Sequence, residues 1–201
     1  MVASVMTQLI ARQMPIRHHG NGFAQVQLTE DTRMHVWTPK TMEGAGHNAT
    51  IHDHVFDLHS QVLLGALEHQ LYDVHTGFTQ HPKNHFLYEL LPNPGKEWCE
   101  LVGFCALVPR DRYCLAAGSA YSFAKHQFHS SKPKTDYAIT LMRKTSGKRM
   151  REPLIVCPKG EAPWNAFAGA DNDPSWMYNE IATALKKLDA DDTRLIRTLL
   201  L

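Results

Sequence analysis

The sequence predicts an all-β protein: a barrel or sandwich of many short strands, with a short helix at the N-terminal end and a helical tail. Three observations predict this class. Between residues 23 and 158, short runs with strand-like patterning are separated by turns rich in Gly, Pro and Asp. The close spacing of these runs favours a barrel or sandwich over alternating strand and helix units. After Pro158 the pattern changes to one with helical periodicity.

The predicted elements begin with a short amphipathic helix over residues 4–13, which Pro15 ends. Strands are predicted where apolar and polar residues alternate, or where β-branched and aromatic residues cluster between turn residues. These strands span residues 23–28, 33–37, 50–54, 60–64, 66–74, 85–91, 98–108, 112–115, 119–123, 137–143 and 154–157.

The C-terminal part of the chain is predicted to be helical. Residues 160–174 are interpreted as a loop, since they hold prolines and glycines among polar residues. The Asp173-Pro174 pair is typical of a helix start, with the aspartate as N-cap. Helical periodicity then covers residues 176–188, and a second helix starts at Asp191 or Asp192 and continues to the end. We expect this tail to pack across the barrel or to make a subunit contact.

The chain is predicted to be a single domain. Its 201 residues, 43% of them hydrophobic, are enough to bury one sizeable core. Residues 1–22 would form the N-terminal helix and lead-in, residues 23–158 the barrel, and residues 159–201 the loop and C-terminal helices. The net charge of +1 creates no field that favours nucleic acid or an anionic membrane. The basic run from Arg143 to Arg151 is therefore interpreted as a solvated hairpin turn.

The sequence also predicts neither membrane insertion nor secretion. No stretch approaches the ~20 apolar residues of a transmembrane helix. The first 14 residues lack the cationic start and long apolar core of a signal peptide. The four cysteines form no C-x-x-C pair, which argues against a zinc knuckle or a thioredoxin-type motif. We expect a cytoplasmic protein with reduced thiols.

Histidines carry the strongest chemical signal in this sequence. The chain has 13 of them, and His52 and His54 lie one residue apart in a predicted strand. Alternate side chains of a strand point to the same face, so these two imidazoles can enter one pocket. His129 lies in a distant patterned stretch and can supply a third. Three neutral imidazoles suit a divalent transition metal, whereas an H-x-H pair alone is often two polar residues on a solvated face.

Residues 51–65 resemble the first sequence motif of the cupin superfamily. That motif runs H-x-H, three or four residues, a glutamate, and six residues to a glycine. The histidine pair matches it, and so does the ending, Val62 to Gly65. The second cupin motif begins with glycine and ends with histidine eleven residues later.

Gly118 and His129 stand at the spacing of this second motif, while Ala124 and His126 occupy its proline and glycine positions. The resemblance covers residues 50–75 and 112–143. It implies a cupin-type double-stranded β-helix barrel with a metal near its mouth. The long separation between the two motifs implies an inserted hairpin or loop around residues 76–95.

By this resemblance, His52, His54 and His129 would be metal ligands. The glutamate of the motif is absent, because counting back from Gly65 puts Leu58 at its position and counting forward from His54 puts His59 there. The site would therefore hold three histidines or, with His59, four. Cupins similar to cysteine dioxygenase use three histidines without the glutamate. Iron(II) is the favoured metal, and nickel, manganese and zinc also suit the ligand type.

Two residues are candidates for proton transfer beside the metal. Tyr121, eight residues before His129, is expected on the same β segment, where its alternative role is to fill the barrel. Glu68 is the other candidate, as an acid or base. A clamp for a substrate carboxylate would come from Arg110, Arg112 or Arg143, each of which can instead form a surface salt bridge.

The first functional hypothesis is a non-haem iron(II) dioxygenase that resembles thiol dioxygenases and oxidises a small carboxylate- or thiol-bearing molecule. One alternative is a non-enzymatic module that binds a small ligand or metal and signals through the helical tail. Another is a redox-neutral, metal-dependent isomerase or lyase, with Glu68, His59 or Tyr121 as acid or base. The expected partners are a small-molecule substrate and, by the cupin resemblance, a second copy in a homodimer.

Overall fold

The computed structural model describes residues 2–43, 51–91, 99–146, 151–161 and 175–200 of the chain. Four helices lie in these ranges: α1 (Val2–Ala11), α2 (Pro39–Met42), α3 (Ser175–Leu185) and α4 (Ala190–Leu199). The strands are β1 (Ile16–His19), β2 (Phe23–Gln27), β3 (Thr32–Trp37), β4 (Ile51–His52), β5 (Asp57–Leu64), β6 (Ala66–His75), β7 (His85–Leu90), β8 (Cys99–Ala116), β9 (Ala120–Phe123), β10 (Phe128–Pro133), β11 (Ala138–Ser146) and β12 (Leu154–Pro158). They form two antiparallel sheets.

The first sheet has six strands in the order β1-β2-β3-β11-β5-β9. The helices α1, α3 and α4 share one apolar core with residues of this sheet. Its fully buried members include Leu9 of α1, Ile181 and Leu185 of α3, and Met34 and Val36 of β3. Because side chains alternate along a strand, the odd-numbered residues of β3 face the opposite side of the sheet. The helical tail is thus part of the main core.

The second sheet closes into a barrel of strands β10-β4-β12-β7-β8-β6. Closure depends on the 18-residue strand β8, which pairs with β7 through its first part and with β6 through its second part. Leu87, Cys105 and Val156, from three different strands, are buried together in one cluster. Ile51 of β4 packs against the same cluster, so the neighbouring His52 points to the other side of its strand.

One wall of this barrel lies against the first sheet. Leu67 of β6 is buried in a cluster with Phe23, Trp37 and Ala138 of the first sheet. A second cluster joins Leu71 of β6 to residues of β5, β9 and β11. The strands β4 and β10 belong to this wall, where His52 lies directly opposite His129 in the ladder. The two sheets therefore enclose a space onto which both histidines open.

Gly65 links β5 to β6 at a point that accepts no side chain. Its φ of +72° lies in the left-handed region, and a Cβ there would lie 2.1 Å from the carbonyl oxygen of Tyr137. This close approach explains why the predicted turn between the two strands needs glycine.

The all-β class predicted from the sequence is confirmed, with two antiparallel sheets, a short N-terminal helix and helices at the C-terminal end. This architecture is consistent with a cupin-type barrel. The inserted hairpin expected around residues 76–95 corresponds to β7 and its pairing with β8. Among the described helices, none is long and apolar enough to cross a membrane.

Several details differ from the predicted elements. The two strands predicted over residues 98–108 and 112–115 form the single strand β8, since Pro109 and Arg110 continue the extended chain. The strands β1 and β10 were not predicted as separate elements. Helix α4 begins earlier than predicted, because Asp189 is the N-cap and its side chain accepts the Asp192 N–H at 2.8 Å. The predicted helix start at Asp173-Pro174 and the middle of the basic run, residues 147–150, lie outside the described residues.

Candidate metal centre

His52, His54 and His129 converge in the structure as the sequence predicts. The three residues each offer one ligand atom, and these atoms all lie within 4.8 Å of one another. The ring centroids are 4.9 Å apart for His52 and His54, 4.7 Å for His52 and His129, and 5.1 Å for His54 and His129. Two segments that are 75 residues apart in sequence thus form one compact cluster.

The ring of His129 is held so that one nitrogen is available to a metal. Its Nδ1 lies 3.1 Å from the backbone carbonyl of Gln127, to which it can only donate. The proton is then on Nδ1 and the lone pair on Nε2. A carbonyl that fixes the tautomer in this way is the usual outer partner of a metal-ligating histidine.

Burial keeps the cluster uncharged. The pKa of His54 and that of His129 lie well below the ordinary value for histidine, because burial penalises the imidazolium form. A charge on His52 would lower both pKa values further. Neutral imidazole is the form that binds metal, so at neutral pH these rings need not lose a proton first.

Asn21, which the sequence analysis did not single out, contacts the third ligand. Its side-chain amide lies 3.5 Å from Nδ1 of His52, and its Oδ1 is buried with no hydrogen-bond partner in the described chain. With the amide oxygen towards the ring, Asn21 accepts the Nδ1 proton and leaves Nε2 of His52 for a metal. The unsatisfied oxygen therefore fits a role in orienting this ligand.

Asp53, between the two ligands of the H-x-H pair, anchors their segment. Its side chain is fully buried and accepts the Leu154 N–H at 2.7 Å. The guanidinium of Arg151 binds both of its oxygens. The backbone of Asp53 also donates to the Leu154 carbonyl, which fastens the segment to β12. The residue between the ligands is thus a buried fixing point rather than a ligand.

His126 adds a second connection to the same segment. Its backbone N–H donates to the carbonyl of His54 at 2.7 Å, and its Nδ1 lies 3.7 Å from the Asp53 carboxylate. The residue has a φ of +66°. It occupies the glycine position of the cupin motif, so the left-handed backbone that favours glycine is kept although the side chain differs.

The three histidines open into a cavity of about 70 Å³ between the sheets. Its polar lining includes Asn21, Gln25, Arg33, His35, Tyr121 and Ser131. Its apolar lining includes Phe123, whose ring stacks on His129 with a centroid distance of 4.0 Å, and Leu58. The cavity is therefore small, largely apolar around the ligands, and polar towards β2 and β3.

Tyr121 lines this cavity, although not on the segment expected for it. It lies on β9 in the first sheet, whereas His129 lies on β10 in the second, and a turn at residues 124–127 separates the two strands. Burial raises the pKa of Tyr121 to about 12, although its hydrogen bonds to Ser60 and Thr140 lower it in part. The phenol therefore keeps its proton at neutral pH and can act as a donor into the cavity.

The structure places the other two acid–base candidates elsewhere. His59 is exposed on β5, where it alternates with the buried Leu58 and Ser60, and its Nδ1 lies 3.0 Å from Oγ of Ser122. It is thus not the fourth ligand of the cluster. Glu68 is not among the described residues that line the cavity, and its carboxylate lies 3.4 Å from Nζ of Lys134.

The three arginines considered as substrate clamps also lie outside the cavity lining. Arg110 forms an exposed ion pair with Asp73 at 3.5 Å. Arg112 donates through Nε to Gln70 at 2.7 Å, and Arg143 is exposed on β11. The arginine that does line the cavity is Arg33, on β3. No motif marked this residue in the sequence.

The donor set suits a divalent transition metal. Two nitrogen ligands of one ion stand roughly 3 Å apart at metal–nitrogen bond lengths of about 2.1 Å, so the rings move closer together when an ion binds. The three ligands are neutral and leave the charge of the ion uncompensated. They also leave coordination positions open on the cavity side, which is the arrangement of a catalytic rather than a closed structural site.

No model of a known protein family matches this sequence, and no curated protein matches it. Solved structures show partial likeness. A hydroquinone 1,2-dioxygenase from Sphingomonas sp. TTNP3, solved with 4-hydroxybenzoate bound, has 12% identity and a TM-score of 0.31, covering 60% of this chain and 63% of its own. KdgF from Halomonas sp. has 15% identity and a TM-score of 0.31, over 67% of this chain and 90% of its own.

CENP-C of Drosophila melanogaster, solved bound to CAL1, has 9% identity and a TM-score of 0.36, over 72% of this chain and 93% of its own. This chain spans about three fifths of the length of the hydroquinone dioxygenases that it matches. What the protein can do is therefore judged from its own residues: a three-histidine cluster at a small cavity inside an all-β fold.

Proposed function

We propose that this protein is a metal-dependent enzyme, a non-haem iron(II) dioxygenase that oxidises a small carboxylate- or thiol-bearing molecule. The observation that carries the proposal is the convergence of three neutral imidazoles, with no carboxylate beside them, on one cavity. A purely structural metal would favour a closed set of four ligands. The open positions here face a space that admits a small molecule.

His52, His54 and His129 would hold the metal, and bound iron(II) supplies the electrons that dioxygen chemistry requires. The surrounding apolar residues keep bulk water away from the ligands. Phe56 stacks on His54 at a centroid distance of 5.1 Å, and Phe123 covers His129. Such a dry site strengthens electrostatic contacts to a bound substrate and limits side reactions.

Tyr121 would hold a proton at the cavity wall. Because its pKa is raised to about 12, the hydroxyl is protonated at neutral pH and donates to an acceptor atom of the substrate. Ser60 and Thr140 hold the hydroxyl in place through hydrogen bonds. Its loss should lower kcat more than metal content, and this difference separates a catalytic role from a role in packing.

Metal content tests the site itself. We expect purified protein, loaded anaerobically with iron(II), to hold about one metal per chain, and a His52→Ala, His54→Ala double variant to hold almost none. His59→Ala is the matched control, because this exposed histidine lies on a neighbouring strand outside the cluster. Metal that persists in the double variant, or disappears in the control, would contradict the proposed ligand set.

Oxygen consumption tests the reaction. The iron-loaded protein should consume dioxygen with at least one member of a panel of small thiols and carboxylates, and Tyr121→Phe should reduce the rate by about 10²-fold or more if it transfers a proton. The absence of uptake with every compound, at full iron occupancy, would count against a dioxygenase.

A redox-neutral isomerase or lyase is the second candidate function, since Tyr121 can serve as its acid without dioxygen. Anaerobic turnover of a sugar or keto acid would favour it. The non-enzymatic module was suggested by the apolar tail, but that tail has another role. Ile181, Leu185 and Ile196 are fully buried in the main core, so their apolar character is explained by folding.

A further inference from the structure

The polar side of the metal cavity contains a buried positive charge. Arg33, on β3, lines the cavity and donates through Nε to the side-chain oxygen of Gln27 at 2.9 Å. Within the described part of the chain it forms no ion pair, and its two Nη groups make no hydrogen bond. A guanidinium in this setting has unused donors that match the two oxygens of a carboxylate.

The charge balance around Arg33 is unfavourable without a ligand. Burial and the neighbouring Arg17 lower the pKa of Arg33 to about 10, so it still carries its charge at neutral pH. Arg17 itself is bonded to a neutral oxygen, that of the Gln25 amide, at 2.9 and 3.1 Å. No Asp or Glu occurs among the described residues that line the cavity. A metal at the histidines would add further positive charge.

A second, independent feature points to a ligand that accepts hydrogen bonds. Trp37 also lies on β3, two residues beyond His35, on the face that lines the cavity. Its side chain is 2% exposed, and its Nε1–H is buried without a hydrogen-bond partner in the described chain. Buried indole N–H groups normally have a partner, so this donor is available to an acceptor in the cavity.

We infer that the cavity recognises a small carboxylate, with Arg33 as its charged partner and specificity-determining residue and Trp37 as a further donor. This inference rests on the proposed function for the reaction, and it selects the carboxylate over the thiol as the group by which the substrate is held. A neutral molecule of the same shape would leave the guanidinium without a counter-charge and is rejected.

Calorimetric titration with glycolate and with its neutral analogue glycolamide tests the inference, with and without iron(II) under anaerobic conditions. We expect glycolate to bind at least about tenfold more tightly than glycolamide in both states. Arg33→Gln should remove this preference. Arg143→Gln is the matched control, because this exposed arginine lies on the adjacent strand β11, next to the residue that pairs with Arg33, and should bind glycolate like the parent.

Two further variants keep the test decisive if Arg33→Gln does not fold. Arg33→Lys keeps the charge but loses the two-pronged donor, so it should bind glycolate more weakly than the parent while still preferring it to glycolamide. Trp37→Phe keeps the ring and loses the N–H, and should weaken glycolate binding by about threefold or more. Equal binding of the two probes by the parent, or an unchanged preference in Arg33→Gln, would overturn the inference.

The outcomes also separate this inference from the proposed function. Metal bound at the histidines together with glycolate binding that ignores Arg33 would refute the carboxylate site and leave the metal enzyme intact. Glycolate binding that requires Arg33 in a protein that takes up no metal would support the carboxylate site and refute the metal enzyme.

Discussion

Replacing Asp53 with alanine should be among the most damaging single changes in this protein. The residue binds no metal, but it lies between two ligands and holds their segment to β12. Its fully buried carboxylate accepts the Leu154 N–H at 2.7 Å and is bound by both Nη atoms of Arg151. The substitution removes all of these contacts at once.

The magnitude follows from what the substitution leaves behind. Breaking a buried ion pair from one side costs about 3–5 kcal/mol, because the remaining charge has no partner. The side chain of Arg151 is 29% exposed, so water compensates part of that charge and the lower end of the range applies. The Leu154 N–H also loses its acceptor. We therefore expect about 3 kcal/mol less free energy of unfolding, together with weaker metal binding.

Urea unfolding of the metal-free protein measures the first effect, and metal titration measures the second. With a slope near 2 kcal/mol per molar urea, the midpoint should fall by about 1.5 M. Asp53→Asn keeps an acceptor for the backbone and should lose less. Asp73→Ala is the control, since its ion pair with Arg110 is exposed and should be worth less than about 1 kcal/mol. A loss below about 1 kcal/mol in Asp53→Ala would refute the role of this carboxylate as an anchor.

Three other outcomes can be measured. Asn21→Ala should weaken metal binding about 10- to 100-fold by competition with a chelator, whereas Asn21→Asp should preserve it; equal affinities would exclude Asn21 as the partner of a ligand. Burial lowers the pKa of His69 to about 4, so the unfolded chain takes up this proton first and stability falls by about 1.4 kcal/mol per pH unit between pH 6.5 and 4. The difference in unfolding free energy between the parent and His69→Gln should shrink by about 2 kcal/mol from pH 7 to pH 5, and a constant difference would contradict that pKa. Gly65→Ala should fail to fold or lose several kcal/mol through its clash with a carbonyl, whereas Gly118→Ala, with φ +88° and open space around it, should lose only about 1–2 kcal/mol in thermal unfolding.

The ligand cluster was predictable because it depends on local spacing and a known motif. His52 and His54 are two residues apart, and any extended chain places such side chains on one face. The motif then pointed to His129. The same periodicity argues against His59, since it alternates with the buried Leu58 on β5; motif counting alone suggested it.

The polar surroundings of the cluster were not predictable in this way. Arg33 and Trp37 face the cavity because β3 turns its other side to the helices, and the sequence of β3 alone does not say which face meets the barrel. Asn21 contacts His52 across 31 residues of chain, and Arg151 meets Asp53 across 98. Such contacts depend on how the sheets pack, which no local pattern encodes.

The sequence by itself determined the strands, the turn glycine at position 65 and the three histidines, because strand periodicity and backbone restrictions act over a few residues. Only the tertiary structure decided that the tail belongs to the core, that Tyr121 reaches the site from the opposite sheet, and that a buried arginine shares the cavity with the histidines. The physical reason is that burial and charge pairing are properties of a packed interior, where residues distant in the chain exclude water from one another.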